Sequence, residues 1–135
     1  MKTKPTLTVD DVDVILKAAR RHAEENNWAV SIAVTDDGGH LMGLTRLDNA
    51  PPISSYIASA KARTSALGRR ESKSYEDMIN QGRVSFLCAP ELDGVLEGGV
   101  PVIHDGQVVG AVGVSGVKAE QDAQIARAGA TALQA

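Results

Sequence analysis

The chain is poor in aromatic and sulfur chemistry. Among 135 residues there are one Trp, two Tyr, one Phe and one Cys. So few rings argue against a nucleic-acid reader that stacks bases on aromatic platforms. A large flat ligand would have to rest on aliphatic side chains and glycine backbone. With Cys88 alone there is no intramolecular disulfide, and no Cys/His spacing matches a structural zinc site. The net charge of −3 comes without a basic block, which leaves no electrostatic footprint for DNA, RNA or an anionic membrane. No apolar run follows the basic residues of MKTKPTLTVDD, and none elsewhere approaches a membrane span. The expectation is a cytoplasmic protein with no secretory leader and no membrane partner.

What is present is an ordinary globular composition, 43% hydrophobic and 23% charged, with length for a single domain over residues 1–135. The stretch GVLEGGVPVIHDGQVVGAVGVSG, Gly94 to Gly116, stands out. Asp105-Gly106 between Val102-Ile103 and Val108-Val109 predicts a type I′ hairpin, because both central residues need positive φ. After the turn both faces of the strand are apolar or small, as expected of a strand covered on both sides or approached closely by another backbone. Gly98-Gly99 at the entry and Ser115-Gly116 at the exit offer amide N–H groups with nothing in front of them.

Elsewhere the chain alternates helical and extended patterns. Thr8-Val9-Asp10-Asp11 reads as an imperfect capping box, with Asp11 where Glu or Gln is usual, and Val9, Val12, Leu16, Ala19 and Ala23 follow at helical spacing to about Asn26. Trp28–Asp36 and His40–Leu47 read as strands around the Asp37-Gly38-Gly39 turn. A helix from about Ile53 or Ser54 runs to Leu67, with Gly68 as its stop. Its alanines (Ala58, Ala60, Ala62, Ala66) suit close packing on a sheet, and Lys61 sits among them. Ser74–Gln81 predicts a short helix. Arg83–Asp93 fits either a short strand or a buried loop. Lys118–Leu133 predicts a last helix. Hairpins separated by helices indicate an antiparallel sheet with helices on its faces, an α+β sandwich.

The segments DDGGHLMGLTRLDNAPP, SAKARTSALG and EGGVPVIHDGQVVGAVGVSG, in that order and followed by a helix with Glu120 and Asp122, resemble the GlcG/HbpS-like family. That family includes haem-binding HbpS proteins and the C-terminal domain of PduO-type proteins. The likeness runs from roughly residue 8 to 132. It implies a profilin-like fold, with a five-stranded antiparallel sheet and helices on both faces. It also implies homo-oligomers (dimers, tetramers or octamers) and, for some members, haem.

Two functional readings follow. In the first, the protein binds a small molecule, with haem as the ligand the resemblance suggests. The haem-iron candidates are His40, after the Gly38-Gly39 turn, and His104, just before Asp105-Gly106. His104 is equally a solvated hairpin-end residue. In the second, an enzyme or accessory protein of a catabolic pathway handles a small organic acid. Gly98, Gly99, Ser115 and Gly116 would then present N–H donors to a carboxylate, with charge from Lys61 and Arg46. Lys61, if buried, is the candidate catalytic base. Its plain alternative is a snorkelling lysine, or an ion pair with Asp48 or Asp122 across a subunit boundary. No Gly-x-Ser-x-Gly elbow, P-loop or dinucleotide fingerprint is present.

Overall fold

A computed structural model describes residues 1–134. Helix α1 spans Val9–Glu25 and starts with a complete capping box. The Thr8 hydroxyl accepts the Asp11 N–H at 3.1 Å, and the Asp11 carboxylate accepts the Thr8 N–H at 2.9 Å. Strands β1 (Ser31–Asp36) and β2 (Leu41–Arg46) form the first hairpin. Helices α2 (Ile53–Gly68) and α3 (Lys73–Asn80) follow, then a 3-10 turn over Val84–Cys88. Strands β3 (Gly99–His104) and β4 (Gln107–Ser115) make the second hairpin. Helix α4 (Ala119–Ala130) and a short 3-10 turn over Ala132–Gln134 complete the fold. The second hairpin turns at Asp105 and Gly106 with φ of +49° and +74°, the two positive values that a type I′ turn requires.

The sheet is antiparallel, in the order β2-β1-β4-β3. It has four strands, which corrects the five that the family resemblance implied. Residues 1–8 run as an unpaired segment, and the ambiguous Arg83–Asp93 stretch holds the 3-10 turn instead of a strand. Strand β3 also carries Pro101 on the edge of the sheet. A residue without an N–H discourages further pairing there.

The two faces of the sheet are packed differently. On one, Ile32, Val34, Val112 and Val114 meet Val12 and Ile15 of α1 and Ile125 of α4 in a fully buried aliphatic core. On the other, the small side chains Ala33, Ala58 and Ala62 bring α2 down onto the strands. Here the backbones nearly touch. A Cβ on Gly113 would lie 2.0 Å from the Ala58 carbonyl oxygen, and one on Gly99 would lie 2.4 Å from that of Lys61. Only hydrogen fits at these positions, so Gly99 and Gly113 are seats for α2.

Candidate functional site

Because α2 lies so close, Lys61 has no way out to solvent along its own helix. It is 2% exposed. Its Nζ donates to the Val114 carbonyl at 2.9 Å and to Asp122 Oδ2 at 3.1 Å. The other carboxylate oxygen of Asp122 accepts the Val117 N–H at 3.2 Å. Lys61 therefore joins α2 to the first turn of α4, past the opening of the β3–β4 hairpin. Gly98, with φ of +132°, leaves room for this, since a Cβ there would sit 2.7 Å from Nζ. Burial pushes the Asp122 carboxyl above its ordinary value of 3.8, outweighing the attraction of Lys61 and the Val117 N–H. The pairing lies within one chain, between residues on two different helices.

The remaining candidates of the glycine cluster sit around this pair. Gly98 and Gly99 are buried, and the Gly99 N–H donates to Ser72 Oγ at 2.8 Å. The Gly98 carbonyl accepts the Val114 N–H at 3.0 Å. Ser115 is 8% exposed and pairs in the ladder with Ser31. Gly116, at φ of +144°, carries the chain past the Ala29 carbonyl into the turn before α4. Lys61, Gly98 and Gly99 are thus together. Nζ is buried and engaged by the Val114 carbonyl and Asp122. Arg46 is exposed on β2 and aligns with Ser31 and then Ser115 across the sheet, two strand spacings away from Ser115, about 10 Å.

His40 lies at the other end of β2, and the Asp36–His40 turn gives it a defined partner. Asp36 Oδ1 accepts the N–H groups of Gly38 and His40, each at 2.9 Å. The His40 ring sits with Nδ1 3.1 Å from Oδ1 and 3.2 Å from Oδ2 of the same carboxylate. Burial pushes the Asp36 carboxyl up. The N–H bonds from His40 and Gly38, with the imidazole, outweigh that and hold it below its ordinary value. The side chain of His40 is 82% exposed. With Nδ1 engaged, Nε2 is the nitrogen left for a ligand. His104 is more than half exposed, with Nε2 3.4 Å from Asp105 Oδ2. The sequence reading missed Asp36 as the orienting group for His40. The signal was the acid four residues before the histidine, across a glycine turn.

Among the described residues no group of His, Cys, Asp and Glu clusters as a metal site. None of the helices described is long and apolar enough to cross a membrane.

Fold and site together define an α+β protein, with helices on both faces of an antiparallel sheet and a buried lysine–aspartate tie between two of them. The family model described as "Haem degrading protein HbpS-like" matches residues 7–131. The chain belongs to this HbpS-like family. It is 57% identical to Protein GlcG of Escherichia coli K12 over 115 residues, 85% of each chain. A double mutant of Streptomyces reticuli HbpS shares the fold at a TM-score of 0.89 and 30% identity, over 98% of this chain and 90% of that one. The PduOC:heme complex superposes at a TM-score of 0.85 and 24% identity over 95% of each chain, a likeness of fold.

Proposed function

We propose that the protein binds a small molecule, that this molecule is haem, and that His40 is the ligand to its iron. The observation that carries the reading is the Asp36–His40 pair. An imidazole whose Nδ1 is held by a carboxylate, leaving Nε2 free, is the arrangement usual for a metal-bound histidine. The donor set therefore fits the group, and the family description, a haem-degrading protein, supports the choice. Haem would supply a redox-active iron there. Asp36 fixes the ring and raises the basicity of Nε2. The neighbouring Leu41, Met42 and Leu44 of β2 are 55%, 37% and 39% exposed and offer the aliphatic surface that a chain short of aromatics must use.

We infer also that the chain works as a homo-oligomer. Val84 and Leu87 of the 3-10 turn are 60% and 62% exposed, and Ile53 and Tyr56 of α2 are 62% and 78% exposed. Large apolar side chains at these levels are the kind of surface that a second copy covers. Light scattering is expected to give a mass above that of one chain, lowered by Leu87→Glu. A monomeric wild type would contradict this.

The ligand test is a haemin titration followed at the Soret band. Wild type is expected to saturate, His40→Ala to bind about tenfold or more weakly, and His104→Ala to match wild type. Loss in His104→Ala with His40→Ala unaffected would overturn the assignment.

A further inference from the structure

A cavity of about 220 Å³ lies beneath the N-terminal segment, and His40 is not among its lining residues. Its walls are Val102 and Val109 of the second hairpin, Ala130 at the end of α4, and Leu133 of the last 3-10 turn. Leu7 forms part of the roof. That roof belongs to a segment with no place in the sheet, held at its end by the Thr8–Asp11 capping box and along its length by Leu7 and Lys4. Leu7 fills the space above Gly110, where a Cβ would lie 2.5 Å from its Cδ1, and Lys4 is ion-paired with Asp37. None of these ties is a rung of the sheet.

The volume and the lining set the class of occupant. An engineered apolar cavity of about 150 Å³ takes benzene, so this one has room for a ring carrying one or two substituents. A whole haem is too large for it, since ligand pockets for larger molecules run from about 300 Å³ upward. The polar groups at the lining include Asp11 and His104. Asp11 has one oxygen occupied by the Thr8 N–H and the Thr8 bond holds its carboxyl below the ordinary range, so the charge it presents is negative at neutral pH. The Asp11 carboxylate beside an aliphatic floor accepts a hydrogen-bond donor and disfavours an anion.

We propose that this cavity is a second binding site, for a neutral molecule of phenol or indole size whose donor group meets Asp11 and whose ring lies on Val102, Val109 and Leu133. The site is independent of haem and of His40.

The test is a methyl NMR titration of the full chain with p-cresol, indole and benzoate. Saturable shifts are expected at Leu7, Val102 and Val109 with p-cresol and indole, and benzoate is expected to bind about tenfold more weakly or less. Ala130→Leu fills the space from α4 and is expected to abolish the shifts while keeping the wild-type methyl dispersion. Should that variant fail to fold, Val109→Ile reduces the space from the sheet side. No saturable shift in wild type, equal binding in a folded filled variant, or benzoate as tight as p-cresol would each overturn the proposal. Repeating the titration on His40→Ala separates this site from the haem reading, because binding there is expected to be unchanged.

Discussion

At the scale of single residues, space and burial decide more than residue type does. Gly113 carries no catalytic group, yet a methyl there would strike the Ala58 carbonyl at 2.0 Å and the Ala62 nitrogen at 2.5 Å. Gly113→Ala must push α2 off the sheet. It is expected to cost about 3 kcal/mol in chemical denaturation, and a change within error would contradict the close-packing account. Asp122 supplies a pH signature. With its carboxyl held above 3.8, the folded chain keeps a proton that the unfolded chain has released. This group therefore favours folding most at low pH, and its contribution fades as pH rises through the raised folded value. The stability margin of wild type over Asp122→Asn should narrow as pH rises from about 4 and then level off. A margin that widens over the same range would mean that Lys61, and not burial, dominates the carboxyl.

At the scale of elements, the capping box offers a clean measurement. Thr8→Ala removes the hydroxyl that accepts the Asp11 N–H and is expected to lower stability by about 1 kcal/mol, read from the denaturant midpoint. Much at this scale was legible beforehand. The type I′ turn, the alanine face of α2 and the small residues along β4 each follow from local rules of φ and side-chain size. What was not legible depended on contacts distant in sequence. Gly68 reads as a helix stop, but the left-handed residue that ends α2 is Arg69, with φ of +58°. Gly68 is small because a Cβ there would lie 2.3 Å from the Tyr75 hydroxyl. The glycines of the second hairpin read as open amides for a ligand. In the fold Gly98 and Gly99 lie buried under α2, and it took the depth of that helix to show it. Lys61 was visible as a lysine among alanines. Which acid it meets depends on the route its side chain takes past Gly98, and the sequence does not encode that locally. The four-strand sheet departs from the family expectation because residues 1–8 and the Arg83–Asp93 stretch form no strand, and Pro101 lies on the edge strand β3.

At the scale of the whole molecule, chemistry and architecture are divided between two ends of the sheet. The buried Lys61–Asp122 tie holds helices together, while the exposed Asp36–His40 pair faces outward with a nitrogen to give. Exposed apolar side chains lie on α2, β2 and the 3-10 turn, the surface that the proposed ligand and partner copy would cover. The central claim is that His40 holds iron, and the spectrum of the ferric haemin complex tests it most directly. Wild type should give the absorption and electron paramagnetic signature of a histidine-ligated haem. His40→Ala should lose it, and added imidazole should restore it. A His40→Ala complex with the wild-type spectrum would contradict the account.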